Sequence, residues 1–189
     1  MIRIAVVDDH HAVRLGLESA LEAEPDMEPV GAASAAAQLA PLLYRTRPDV
    51  VIVDYRLPEE DGLSVCRRIK REPPAPAVLL HSAFADDWLT VPALLAGVDG
   101  IIHKGAPGRA LSEAVRSVAR GSKVMPAVLP EFLSASSESL APEDRPVLAM
   151  LAHGTPEAEV ARALGLDRRR LARRMDRMLE ALRFVAARD

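Results

Sequence analysis

A single cysteine, Cys66, occurs in the 189 residues, which excludes a disulfide framework and any zinc site built from several cysteines. No stretch reaches about 18 uncharged apolar residues, so nothing reads as a bilayer-spanning helix and no membrane partner is expected. The chain opens MIRIAVVDDHH, and the carboxylates of Asp8 and Asp9 interrupt this start before it can form the apolar core of a signal peptide. A soluble protein of the cytoplasm is the expectation. Lysine is nearly absent as well: only Lys70, Lys104 and Lys123 stand among the 24 basic residues, a skew that fits a GC-rich genome and says nothing about function.

What is present is a chain able to fold. Apolar residues make up 49% and charged residues 27%, so a packed core is expected and wholesale disorder is not. At roughly 100–200 residues per domain, the length allows one large domain or two small ones. The net charge of −3 hides an asymmetry: residues 1–139 carry 14 basic against 19 acidic residues, while residues 140–189 carry 10 against 8. Six of those last ten are arginines between Arg168 and Arg177. An acidic front and a basic patch near the end point to two units with different partners.

Along the front part, short apolar runs alternate with helical patterns. Strands are expected at residues 2–7, 29–33, 49–53, 77–80 and 100–103, the second of them weak. Helices are expected after each. The first carries Val13, Leu17 and Leu21 on one face, and the others cover 35–45, 61–71, 86–96 and 107–120. Pro92 should shorten or kink the fourth helix, while Pro107 suits a first turn. Five βα repeats imply a parallel sheet with helices on both faces. Residues 122–139 are rich in serine and small residues and read as a linker, with a short helix near 130–133. The tail reads as three helices: 142–152 stopped by Gly154, 156–164 capped by Thr155 and ended by Gly165, and 168–186 capped by Asp167.

Four features fall at strand ends: Asp8-Asp9, Asp54, Ser82 and Lys104. In an open parallel α/β sheet, ligands bind beyond the carboxyl ends of the strands, so these distant residues should converge. Packed carboxylates need a counter-charge; a hard divalent cation such as Mg²⁺ and the Lys104 ammonium would supply it. Such a cluster suits phosphoryl transfer to a carboxylate nucleophile. Taken singly, an Asp-Asp pair is often only a helix cap, and a lone strand-end Asp only a turn residue. The coincidence of all four carries the argument.

Together, Val6-Val7-Asp8-Asp9-His10, the run from Asp54 through Arg56 to Asp61-Gly62, the Ser82-Ala83 pair and Lys104-Gly105 resemble the receiver domain of two-component response regulators. The resemblance implies Asp54 as the phosphoacceptor served by a sensor histidine kinase. It implies Asp8 and Asp9 as the Mg²⁺-positioning pair and the Arg56 backbone carbonyl as a further metal ligand. Ser82 and Lys104 would engage the phosphoryl group. Ile101 stands where the family usually has Tyr or Phe. A Mg²⁺-dependent phosphohydrolase of similar architecture would usually carry a second carboxylate two residues after the nucleophile, where this chain has Arg56.

In the last helix, at 100° per residue, Leu171, Met175, Met178 and Leu182 line up as an apolar stripe beside the arginines Arg170, Arg173, Arg174 and Arg177. That pattern suits a helix-turn-helix reading DNA with arginine; a merely solvated face is the alternative, since Asp176 interrupts and no aromatic residue accompanies the patch. The run Leu140-Ala141-Pro142-Glu143-Asp144-Arg145, with Val147-Leu148, Gly154 and Glu159 to Leu166, resembles a LuxR-type helix-turn-helix. The whole chain is therefore similar to NarL/FixJ regulators. Ala172 replaces a lysine common in the family, and the tail is expected to lack the family's fourth helix.

The expectations are these. The fold is α/β, a doubly wound five-stranded parallel sheet of flavodoxin/CheY type, followed by a small all-α helix-turn-helix. Residues 1–121 form the receiver, 122–139 the linker and 140–189 the helix-turn-helix. The protein is no conventional enzyme: it takes a phosphoryl group on Asp54 and controls transcription as a homodimer on promoter DNA, through Arg169, Arg170, Arg173, Arg174 and Arg177. The alternative is a protein-interaction regulator whose tail no longer binds DNA.

Overall fold

Val50, Val51, Ile52 and Val53 are fully or almost fully buried, as an unbroken β-branched run must be when helices cover both faces of its strand. The computed structural model describes residues 1–71, 74–83 and 87–186. Its first part alternates β1 (Ile2–Val7), α1 (His11–Glu22), β2 (Met27–Ala33), α2 (Leu39–Thr46), β3 (Val50–Asp54), α3 (Gly62–Arg71), β4 (Ala77–Ser82), α4 (Asp87–Ala96), β5 (Gly100–His103) and α5 (Gly108–Ala119). The five strands are parallel in the order β2-β1-β3-β4-β5. The chain reverses its winding between β1 and β3, and the crevice for a ligand opens above those two strands.

The described residues divide into two compact units, one from 1–85 with 98–125 and the other from 86–97 with 126–189. In the first, α1 and α5 cover one face of the sheet and α2 and α3 the other. Ile4, Val6, Val50, Ile52, Leu79 and Ile102 pack with Leu17, Leu21, Leu111, Val115 and Val118. Strand β2 begins two residues before the sequence pattern indicated, and it holds both Pro29 and Gly31. It tolerates them as an edge strand with a register shift opposite Ile4 and Ala5. The helix expected over 35–45 splits into a 3₁₀ turn at Ala36–Gln38 and α2. Pro41 then falls in the first turn of α2, where its missing N–H costs no hydrogen bond.

The second unit contains α4, α6 (Pro130–Glu138), α7 (Arg145–Ala152), α8 (Glu157–Ala163) and α9 (Arg168–Ala186). The first residue expected for α4, Asp86, lies outside the described residues. The helix is apolar all round, with Leu89, Val91, Ala93 and Leu95 fully buried, and it packs with α6, α7 and α9, as a helix without a polar face must. Helix α6 extends to Glu138 through the serine run, well beyond the single turn expected, because Phe132, Leu133, Ser136 and Ser137 form one half-buried face. Helix α7 starts three residues later than expected, which puts Pro146 at its second position, harmless there for the same reason as Pro41. Thr155 makes no cap: the N-cap of α8 is Pro156, with no side-chain cap bond. Gly154 (φ 80°) and Gly165 (φ 63°) take the left-handed conformation that ends α7 and α8. Asp167 does cap α9, its Oδ1 accepting the Arg170 N–H at 2.8 Å. Among the described residues, no helix is long and apolar enough to cross a membrane.

Candidate functional site

Asp8 follows β1 and Asp54 ends β3, so the parallel pairing of these strands sets the two carboxylates side by side. Both are buried, at 1% and 2% exposure, which requires a counter-charge. Lys104, immediately after β5, supplies it: its Nζ lies 2.9 Å from Asp8 Oδ2 and 2.8 Å from Asp54 Oδ2. Burial alone would lower the Lys104 pKa, but the two carboxylates outweigh it and hold the ammonium above its ordinary value. Burial raises the Asp54 carboxyl above the usual carboxylate range, against the opposing pull of Lys104 and of the Arg56 amide. That amide donates to Asp54 Oδ1 at 3.1 Å.

The loop beyond β3 is held close. Gly62 donates its N–H to Tyr55 O at 2.7 Å, and Arg56 and Asp61 form an isolated antiparallel bridge. Any Cβ at position 62 would overlap the Asp54 carbonyl oxygen, so glycine is what lets α3 begin directly beside the buried aspartate. Ser82 is buried at the end of β4, and its carbonyl accepts the Lys104 N–H at 2.8 Å. Its neighbour His81 is buried too, and burial, followed by the Lys104 charge, lowers its pKa to about 4. Ile101 is buried in β5.

Asp8, Asp54, Ser82 and Lys104 thus meet at one end of the sheet, with Asp9 half-buried beside them. Three neighbours were not singled out by sequence. The Arg14 guanidinium donates to the Asp8 carbonyl at 2.7 Å. His103 bonds the Ala83 carbonyl through Nε2 at 2.8 Å, and its Nδ1 accepts the Gly105 N–H. The His10 Nδ1 lies 2.8 Å from Asp9 Oδ1. Only the adjacency of His10 to Asp8-Asp9 could have flagged it; the bonds of Arg14 and His103 depend on the turns that follow their strands.

Asp8, Asp9, His10 and Asp54 offer donor atoms within 4.8 Å of one another, a group that could hold a metal ion. Asp9 Oδ1 and Asp54 Oδ2 are buried, the first 2.8 Å from His10 Nδ1 and the second 2.8 Å from Lys104 Nζ. Three carboxylates gathered this closely are the oxygen donors that suit a hard divalent cation.

In the second unit, Leu171, Met175, Met178 and Leu182 are buried as a stripe, with Leu179 beside them. Arg169, Arg170, Arg173 and Arg177 are exposed on α9. Arg174 is different. Its Nε lies 3.1 Å from Asp144 Oδ1, its Nη1 donates to the Glu143 carbonyl at 3.2 Å, and its side chain is 22% exposed. Burial raises the Asp144 pKa, opposed by the charges of Arg174 and Arg177. The arginine patch therefore divides into an exposed set and one arginine that ties α9 to the start of α7.

Residues 4–116 match the response regulator receiver domain. The chain is 29% identical over 192 residues to the DNA-binding transcriptional activator DevR/DosR of Mycobacterium tuberculosis, covering 96% of this chain and 88% of that one. It is 30% identical to the transcriptional regulatory protein LiaR of Bacillus subtilis, covering 87% of this chain and 82% of LiaR. Among solved structures, the receiver domain of the response regulator NarL from Mycobacterium tuberculosis superposes with a TM-score of 0.60 at 32% identity, covering 64% of this chain and 97% of that one.

Proposed function

The chain belongs to the response regulators of the NarL/FixJ type, and from that premise we propose that Asp54 is the phosphoacceptor of a transcription regulator. The observation that carries this reading is the buried Asp8–Lys104–Asp54 arrangement at the carboxyl ends of β1 and β3. The protein is regulatory and not a conventional enzyme; beyond the kinase reaction, we assign it only self-phosphorylation from small phosphodonors and slow self-dephosphorylation.

An Asp54 carboxylate oxygen attacks the phosphorus of a phosphohistidine on the sensor kinase. The new P–O bond forms as the P–N bond breaks, and the imidazole leaves with the electron pair. No general base is required, because the nucleophile is already an anion. The Arg56 amide orients Asp54 through Oδ1. Lys104 faces Oδ2 and would pair with the transferred phosphoryl oxygens. The Ser82 hydroxyl would bond the same group. The acidic pocket fits Mg²⁺, which Asp8, Asp9, Asp54 and the Arg56 carbonyl would hold. When bound, Mg²⁺ neutralises charge on the phosphoryl oxygens.

We assign residues 1–121 to the receiver, 122–139 to the connection and 140–189 to the DNA reader, with Arg169, Arg170, Arg173 and Arg177 toward promoter DNA. The DNA binding and transcriptional activation of DevR/DosR and the exposed arginines of α9 support this output in the cytoplasm. Phosphorylation would favour a homodimer, and pairing two weak DNA modules multiplies occupancy through effective concentration.

The test is acetyl-phosphate labelling of the full chain in Mg²⁺. Stoichiometric labelling abolished by Asp54→Asn is expected; labelling retained in that variant places the acceptor elsewhere. Promoter binding should fall steeply with salt, and salt-insensitive binding would turn the tail into a protein-interaction module.

A further inference from the structure

A groove of about 1100 Å³ lies in the first unit at the amino ends of β3, β4 and β5, the end of the sheet opposite the acidic pocket. Its volume is at the upper end of the roughly 300–1,000 Å³ usual for small-molecule clefts. Leu39 and Leu43 of α2 and Ile69 of α3 give it apolar walls, and Tyr44, which also lines it, is 82% exposed. Two of its charged residues, Lys70 and Asp99, pair with each other, and Asp99 is also held by Lys123. The Asp49 carboxylate accepts the Arg3 N–H at 2.8 Å, and Arg68 pairs with Glu60 at 2.6 Å. Arg47 is left over: among the described residues, no hydrogen bond or ion pair engages its guanidinium.

A second, independent observation falls on the same residue. Arg47 follows α2 in the left-handed conformation, at φ 43° and ψ 61°, and it is the only non-glycine with positive φ among the described residues. Glycine or asparagine would end the helix there without crowding a Cβ against the backbone carbonyl. An arginine in this position, unpaired beside an apolar groove, carries strain that the fold itself does not use. Its surroundings set the sign of what it would meet. Helices α2 and α3 with Arg47 hold six basic residues and no acidic one, although residues 1–139 as a whole carry 14 basic against 19 acidic residues.

We propose that this groove binds a small amphipathic anion, a compound with an apolar body and one acidic head group. The body would lie on Leu39, Leu43, Tyr44 and Ile69, and the Arg47 guanidinium would pair with the head group. Burial of the apolar body supplies affinity, and charge-assisted hydrogen bonds from arginine supply the selection for an anion. A neutral compound gains nothing from Arg47, and a cation is repelled by the basic residues of α2 and α3. The first unit then takes a second ligand at the far end of the sheet from Asp54, whether or not Asp54 is phosphorylated.

The experiment titrates the full chain with anilinonaphthalene sulfonate, and separately with its uncharged parent phenylnaphthylamine, by dye fluorescence. Both dyes should bind, the sulfonate more tightly. Arg47→Gly should weaken the sulfonate by about tenfold, change the uncharged dye by less than about twofold, and leave the melting temperature equal or higher. Tyr44→Ala should weaken both dyes. Arg109→Ala, at an exposed arginine on α5, should weaken neither. Unchanged sulfonate binding in Arg47→Gly, equal losses of the two dyes, or no binding of either dye by the parent would overturn the proposal. So would a lower melting temperature for Arg47→Gly, which gives the arginine to the fold, or an equal sulfonate loss in Arg109→Ala, which leaves only a general attraction to basic surface. Sulfonate released as the protein concentration rises would hand the groove to a second copy of the chain and overturn it as well.

Discussion

Replacing Lys104 by methionine keeps most of the stem and removes the ammonium that pairs with both the Asp8 and the Asp54 carboxylates. At the observed separations of 2.8 and 2.9 Å and an effective dielectric of about 20, each lost contact is worth roughly 6 kcal/mol in Coulomb energy. Much of that is returned because the lysine no longer has to be desolvated. Breaking one side of a buried pair costs about 3–5 kcal/mol net, and the 22% exposure of the Lys104 side chain puts Lys104→Met at the lower end, about 3 kcal/mol. The pH dependence has a definite sign. Burial already raises Asp54 above its ordinary value, and loss of the ammonium raises it further. Between the unfolded and folded values the native state binds the extra proton, so stability falls as pH rises through that window. The deficit of Lys104→Met should therefore be small well below the ordinary value of 3.8, where both states are protonated, and should grow toward neutral pH. Mg²⁺ should reverse part of it and bind the variant more tightly, since the ion no longer competes with a resident cation. Urea denaturation followed by far-UV circular dichroism, in chelator and then in Mg²⁺, measures all three effects. A variant as stable as the parent at pH 7, or a deficit that grows on acidification, would refute the electrostatic account.

Three further outcomes are expected. Gly62→Ala should destabilise the first unit by about 1–3 kcal/mol, because its Cβ must displace the Asp54 backbone, and acetyl-phosphate labelling should fall with it; unchanged labelling rates would show that the loop yields freely. Arg174→Ala should cost the helical unit about 1–2 kcal/mol by leaving Asp144 unpaired, whereas Arg170→Ala and Arg173→Ala should each make the salt dependence of DNA binding shallower by about one unit of slope with little effect on stability. The reverse pattern in thermal melts and salt titrations would reassign these residues. His81, with its pKa lowered from 6.5 to about 4, is held neutral in the fold, so its contribution is complete above pH 6.5 and is lost as pH falls toward 4, by about 3 kcal/mol in all. His81→Phe should flatten that part of the stability profile, and an unchanged acid limb in the variant would place the proton uptake elsewhere.

The alternation of short apolar runs with helical periodicity determined the parallel sheet by itself, because strands buried on both faces need unbroken Val and Ile, as in residues 50–53. Once the strands are parallel, chain order places Asp8, Asp54, Ser82 and Lys104 at one end, and no distance has to be known to see it. The apolar stripe of α9 and the caps at Gly154, Gly165 and Asp167 were equally legible, since each depends on residues within two turns of helix. Tertiary structure alone decided the rest. The serine-rich segment 134–138 reads as linker by composition and becomes helix because one face of α6 packs against α4 and α7. Helix α4 groups with the C-terminal helices, and its uniformly apolar surface says only that it is buried, not by what. Arg174 shares its helix face with Arg170 and Arg177 in any helical projection, yet it is tied to Asp144, thirty residues earlier in the chain. His10 gains its place beside three carboxylates only when β3 lies down next to β1. Local patterns set periodicity and caps because their interactions are short-range; which charge meets which is fixed by contacts between distant segments, and those exist only in the folded chain.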